Sequence, residues 1–257
     1  MKIAVITITY HAERTLKRTL DSVASQHHRP IAHYIIDGAS TDRTLTIAQR
    51  YKAAAPYEVT IVSEPDRGLY DAMNKGLRCA DGDYVVFLNA GDTFYDSDTL
   101  ETVAHAAEQH AVADTRHELP AVIYGDTAIV DAYGVFLHQR RHRPPEQLTW
   151  RSFKHGMLVC HQAFYARLDI ARQTPYDLRY RHSADVDWCI RVMKEAEHQR
   201  LALVNTHAVL ANFEDGGNTT QHHRASLVER FRVMAHHYGL LQTILLHAWF
   251  VVRSIVK

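Results

Sequence analysis

Residues 63–94 read SEPDRGLYDAMNKGLRCADGDYVVFLNAGDTF. The residues just before and into this run, EVTIVS, have strand composition, and EPDRG is turn chemistry. LYDAMNKGLRCA then reads as a helix, and YVVFLN as a short apolar strand that ends in an acidic turn at Asp92. Strand, turn, helix and strand make one βαβ unit, and repetition of that unit builds a parallel sheet covered by helices. In such a sheet Asp66 and Asp92 stand at the carboxyl ends of two strands, the edge where open α/β sheets bind ligands.

The flanking sequence repeats the pattern. Ile3 to Thr9 reads as a buried strand, followed by a helical segment with Ala12, Leu16, Leu20 and Val23 on one face. Ile31 to Asp37 reads as a second strand. GASTD is a turn, with Ser40 or Thr41 as the cap of a helix through Ala55. Beyond Asp96 the spacing predicts a helix over about 97–110, then two short strands around a turn near 131–134. A loop at RPPEQLTW, a strand at HQAFYA and a helix at SADVDWCIRVMKEA follow, the helix turning Val186, Ile190 and Met193 inward. LALVNTHAVLANF supplies one or two further strands. The fold expected is a single α/β domain over 1–257, a three-layer α/β/α sandwich with a mixed, mainly parallel central sheet.

Composition narrows the function. The 257 residues carry 29 Lys plus Arg and 29 Asp plus Glu, so no basic bias marks a nucleic-acid binder. Apolar residues make up 46%, enough for a substantial core. Cys79, Cys160 and Cys189 are isolated and odd in number, which suits a reducing, cytoplasmic compartment. The 19 histidines lack zinc-like spacing with cysteine. The loop after the first strand, ITITYHAERT, holds no glycine, which excludes a dinucleotide-binding G-x-G-x-x-G and counts against a nucleotidyltransferase.

The ordered series ITITYH, IIDGASTD, EPD-x-G-x-YDAMNKG and FLNAGD resembles the signature of family 2 glycosyltransferases, above all the branch that builds bacterial exopolysaccharides such as colanic acid. The resemblance implies a GT-A-type, Rossmann-like fold and an inverting transfer of sugar from a nucleotide-sugar, commonly UDP-linked. On this likeness Thr7, Thr9, Asp37, Asp66 and Asn89 hold the donor. FLNAGD stands where the family places its acidic metal motif, but two acidic positions are Asn89 and Gly91, leaving Asp92 as the metal ligand for a magnesium or manganese ion. Read without the likeness, Thr7 and Thr9 are the polar face of a strand, Asp37 a turn residue before Gly38, and Lys75 either a counter-charge to a diphosphate or a solvated lysine.

In the second half, SADVDW matches the family's base motif, with Asp185 at the aspartate and Ala184 in place of a glutamate. Asp185 is the expected general base and Asp187 its rival, and either is also an ordinary first-turn aspartate. His161 and Gln162 resemble a His-Gln pair of the same branch that contacts the acceptor or a phosphate, and Gly216 with Gly217 a loop that closes on the site; read without the likeness, they are a buried, hydrogen-bonded histidine and ordinary turn glycines. The expected division is a donor half over 1–99, an acceptor half over 100–220 and C-terminal helices over 221–257. The tail GLLQTILLHAWFVVRSIVK is interrupted by Gln242, Thr243, His247 and Arg253. It reads as a helix lying on a membrane surface or packing on the core or a partner, not as a span. The expected partners are a nucleotide-sugar donor and a glycan or lipid-linked acceptor at the inner face of the cytoplasmic membrane. The alternative is a non-catalytic nucleotide-sugar-binding protein of the same fold.

Overall fold

The computed structural model describes residues 1–215 and 223–255. Its sheet has nine strands: β1 (Ile3–Thr9), β2 (Ile31–Asp37), β3 (Glu58–Ser63), β4 (Tyr84–Phe87), β5 (Thr93–Phe94), β6 (Val122–Val130), β7 (Phe136–Gln139), β8 (Phe164–Arg167) and β9 (Leu203–Glu214). They lie in the order β3-β2-β1-β4-β8-β6-β9-β5, with β7 paired to β6. The long ladders β1–β2, β2–β3 and β6–β9 are parallel, and the shorter pairings of β8, β7 and β5 are antiparallel. The mixed, mainly parallel α/β sheet expected from the sequence is the one observed.

Every residue of β1, β2 and β4 is buried, as strands covered by helices on both faces must be. On one face α1 (Leu16–Ala24) and α2 (Thr44–Ala54) close a small core of Leu16, Leu20, Ile35, Ala48 and Val59. On the other, α3 (Leu69–Cys79) joins the main core. Gly76 explains how closely α3 sits: a Cβ there would lie 2.5 Å from Ile6 Cγ2, so only glycine lets the helix rest on β1. Further along come α4 (Thr99–Ala113), α5 (Leu168–Gln173), α6 (Ala184–Gln199), α7 (His223–Tyr238) and α8 (Leu240–Ile255).

Register sets the functional edge. Thr9 pairs with Asp37 and Asp37 with Ser63, so β1, β2 and β3 end side by side, and the chain leaving β4 arrives at the same edge. One expectation is corrected in detail. Neither Ser40 nor Thr41 caps α2: Ser40 turns back to Asp37, and Asp42 accepts the Thr44 amide instead. Of the one or two strands expected from LALVNTHAVLANF, one long strand forms, β9.

An aromatic cluster ties α6 to β4 and α3 behind this edge. Trp188 of α6 stacks on Tyr176 at 4.9 Å and meets Phe87 of β4 edge-on at 5.6 Å. Tyr176 in turn stacks on Tyr70 of α3. Asn74 grips the Tyr176 backbone from both sides, donating to its carbonyl and accepting from its amide. Among the described residues no helix is long and apolar enough to cross a membrane.

Candidate active site

A cavity of about 820 Å³ opens at the carboxyl edge of β1, β2 and β4, within the size range of small-molecule sites. Its wall gathers Thr9, Asp66, Asn89, Asp92, His161, Gln162 and Asp185 from segments spread over the chain. Thr7 and Asp37 do not reach that wall. Thr7 points into the sheet and bonds the buried His33 at 2.9 Å. Asp37 is 1% exposed, and both its carboxylate oxygens are engaged, by the Ser40 amide and hydroxyl and by the Ser63 hydroxyl at 2.6 Å. Gly216 and Gly217 lie outside the described residues.

One wall is built from loops that follow the strands. Asp66 accepts the Gly68 amide at 2.8 Å and leans against Gly38, where a Cβ would stand 2.7 Å from its Oδ2. Lys75 is only 8% exposed and is neither solvated nor aimed into the cavity. It bonds the Pro65 carbonyl at 2.7 Å and pairs with Glu64, bracing the loop that carries Asp66. At the rim Tyr10 is 64% exposed and stacked on His11 with centroids 4.1 Å apart. Two acceptors at this wall are buried and unpartnered: Thr9 Oγ1 and Asn89 Oδ1. Such atoms in a cavity wall suit a polar ligand.

The turn Asn89–Asp92 is held from below by α1, whose Thr19 hydroxyl accepts the Gly91 amide and donates to the Asp92 carbonyl. Asp92 is 6% exposed. It accepts Gln162 Nε2 at 2.8 Å and the Glu214 amide at 3.3 Å. Burial pushes its carboxyl up to about 6, because the neutral Gln162 amide and a nearby His161 offset only part of the desolvation. Glu214, at the end of β9, also faces the cavity and is paired with Arg18 at 2.5 Å. Arg18 also bonds the carbonyls of Gly91 and Ala132.

Across the cavity stands Asp185, in the first turn of α6, its side chain 19% exposed. Tyr70 donates to its Oδ1 at 3.2 Å, and His161 Nδ1 lies 3.6 Å from its Oδ2. Burial would raise this carboxyl, but the His161 imidazole outweighs it, with a smaller contribution from Arg230, and holds it below the usual carboxylate range. His161 also meets Asn89 Nδ2 at 3.2 Å, so one imidazole bridges the two walls. Asp187 faces away from the cavity. It is bonded by His237 at 2.8 Å and Arg191 at 2.7 Å and is 2% exposed.

For a divalent ion the protein offers the Asp92 carboxylate and the unpartnered Asn89 amide oxygen, the neighbouring Glu214 being taken up by Arg18. Among the described residues no three His, Cys, Asp or Glu side chains gather as a metal cage. That donor set fits an ion of the magnesium type, which takes one or two protein oxygens and fills its shell with phosphate oxygens and water. It does not fit a preformed protein site.

Tyr70, Arg18, Thr19 and Glu214 also contact or line the candidate site, and the sequence motifs assign them no role. Tyr70 lies inside the YDAMNKG motif but has the composition of an ordinary helix residue. Arg18 and Glu214 meet across 196 positions, and no local pattern announces such a pair.

Comparison with known proteins bears on these residues. A family model described as "Glycosyl transferase family 2" matches residues 4–172, a span that ends before Asp185. The chain is 33% identical over 215 residues to a PGL/p-HBAD biosynthesis glycosyltransferase of Mycobacterium bovis, covering 83% of this chain and 77% of that one. Among solved structures it resembles S. aureus TarS 1-349 in complex with UDP-GlcNAc, with TM-score 0.69 and 16% identity over 98% of this chain and 72% of that one. It spans 43% of the longer S. aureus TarS chain. It also resembles the mannosyltransferase PcManGT from Pyrobaculum calidifontis in complex with GDP-Man and Mn2+, with TM-score 0.60 and 19% identity over 97% of this chain and 75% of that one. At these identities the solved structures establish the shared glycosyltransferase fold.

Proposed function

The chain belongs to glycosyl transferase family 2 and is a glycosyltransferase, and from that premise we propose that it transfers a sugar from a UDP-sugar to a glycan or lipid-linked acceptor, with inversion. The observation that carries this reading is the single cavity in which an ionised Asp185 faces Asp66, Asn89 and Asp92. A UDP donor is favoured because S. aureus TarS, of the same fold, is seen with UDP and UDP-GlcNAc. Residues 1–99 form the donor half and 100–220 the acceptor half.

In the proposed pose the nucleoside lies along Thr9, Tyr10 and Asp66, with the exposed Tyr10 ring as a stacking surface for the base. Asp37 acts behind this wall through Ser40 and Ser63. The acceptor hydroxyl enters beside Asp185. Its oxygen bonds to the anomeric carbon as the bond to the diphosphate oxygen breaks, and its proton passes to Asp185. The electron pair leaves with UDP. His161 and Tyr70 hold the Asp185 carboxylate through this step. Asn89 and Asp92 are the groups that would hold a divalent ion, which when bound neutralises charge on the leaving diphosphate.

The C-terminal helices fit an acceptor carried in a membrane. Leu241, Ile244, Leu245 and Trp249 of α8 are each about half or more exposed. Over 223–257 the sequence holds four arginines and one lysine against the single acid Glu229. An apolar face on a basic helix pair suits peripheral binding to an anionic membrane surface, here the inner face of the cytoplasmic membrane.

The test is UDP release from a panel of UDP-glucose, UDP-galactose and UDP-GlcNAc, with and without Mn2+ and with glycolipid acceptors. Turnover of at least one donor, faster with an acceptor, is expected. Tight UDP binding with no turnover of any donor would return the non-catalytic reading.

A further inference from the structure

The N-terminus of α6 is not capped by its own residues. Ser183 occupies the cap position, yet its side chain makes no capping bond to the helix. Its hydroxyl turns instead to the Ser226 carbonyl of α7 at 3.2 Å. Three consecutive backbone amides before α6 point to one carboxylate on another helix. Glu229 Oε1 accepts from Arg181 at 2.9 Å, and Oε2 accepts from His182 at 2.7 Å and Ser183 at 3.1 Å. Asp185 follows two residues after the last of these amides.

We propose that Glu229 is a positioning residue for the transfer reaction: from α7 it clamps the amides of residues 181–183 and so fixes where α6 presents the Asp185 carboxylate. The inference rests on the reading of Asp185 as the base and adds a residue on α7, far outside the matched family span.

The physical reasons are three. An ionised carboxylate that accepts several backbone N–H bonds makes charge-assisted contacts, stronger than neutral ones. It also sits where a helix N-terminus favours negative charge. Glu229 is the only acidic residue in 223–257, so no other carboxylate on α7 can replace it. Asp185 has little slack on the other side: Tyr70 lies at 3.2 Å and His161 at 3.6 Å, and a small displacement of the α6 end breaks both contacts. Arg230, next to Glu229, helps hold Asp185 below the usual carboxylate range, so α7 bears on the base both by geometry and by charge. Between the same two helices a second tie, His237 to Asp187, joins α7 to the same first turn of α6, two residues after Asp185. Glu229 is the tie on the N-terminal side of Asp185.

Amide hydrogen exchange and kinetics on the full chain test this. In the unsubstituted protein the amides of 181–183 should be protected, and Glu229→Ala should expose them. The same variant should lower kcat by about tenfold to a hundredfold, the cost of misplacing a reacting group by about an ångström. The Kd for UDP and the KM for the donor should stay within about twofold, since neither reads the base. Tyr238→Phe is the control: it loosens α7 at its far end, where the Tyr238 hydroxyl bonds the Trp150 carbonyl, and should lower the melting temperature without lowering kcat. Rapid exchange at 181–183 in the unsubstituted protein overturns the proposal, even if Glu229→Ala does not fold. So does a folded Glu229→Ala with unchanged kcat, or a Tyr238→Phe that loses kcat to the same degree. Failure of the base reading shows separately, as transfer that survives Asp185→Asn while 181–183 stay protected.

Discussion

The two walls of the cavity each present a carboxylate, one buried and one partly buried, and the two are held in opposite states. Asp92 accepts from a glutamine amide and a backbone N–H, with His161 nearby and the Glu214 carboxylate opposing ionisation, and burial raises it to about 6. Asp185 faces the same imidazole directly at 3.6 Å, with a smaller contribution from Arg230, and it is held below the usual range. Burial opposes charge at both. What differs is how directly His161 engages each carboxylate and whether the second charged neighbour, Glu214 or Arg230, opposes or favours ionisation. Carboxylates pushed apart in this way suit different roles in one site: in the proposed mechanism Asp185 stays ionised to take a proton, whereas Asp92 would gain from a cation.

The largest effect expected from breaking this contrast is at Asp185. Asp185→Asn removes the proton acceptor and should lower kcat by about a hundredfold to ten-thousandfold, with the Kd for UDP nearly unchanged in calorimetry. If Asp187→Asn does this and Asp185→Asn does not, the base is misassigned.

Asp92 should show itself in stability. Its folded carboxyl is raised, so it favours folding fully only below the unfolded value near 4, and that contribution is lost as pH rises through about 6. Above pH 7 its ionised form opposes folding by ~3 kcal/mol. Asp92→Asn should therefore gain stability over the unsubstituted protein as pH goes from 4 to 7, measured by denaturant unfolding. A difference that does not change with pH would contradict the assignment.

Tyr70→Phe removes one bond to an ionised partner and should cost about tenfold in kcat with donor KM unchanged. His161→Ala removes the imidazole that offsets burial at Asp185. The acid limb of the kcat profile should then move to higher pH, and a limb that stays in place would mean His161 does not set the Asp185 charge.

Much of the donor edge was legible in the sequence because it is local. Strand ends at Thr9, Asp37 and Ser63 follow from apolar runs stopped by polar turns, and the observed strands share those boundaries. What the sequence could not show was register and long-range pairing. Thr7 and Thr9 share a strand face, but Thr7 lies two residues deeper and meets His33 instead of the cavity. Asp37 pairs across β2 and β3 with Ser63, which takes up one of its oxygens. Lys75 looked like a free charge because its partners, the Pro65 carbonyl and Glu64, become neighbours only when α3 folds back along its own loop. Tyr70 and Asp185 come from positions 115 residues apart, so their contact appears only with the fold.

The most direct test of the contrast is a carboxyl carbon NMR titration of aspartate-labelled protein, with the two signals assigned by Asp92→Asn and Asp185→Asn. The account predicts that Asp92 titrates near 6 and Asp185 below the usual carboxylate range. Two carboxyls titrating together, or in the reverse order, would contradict it.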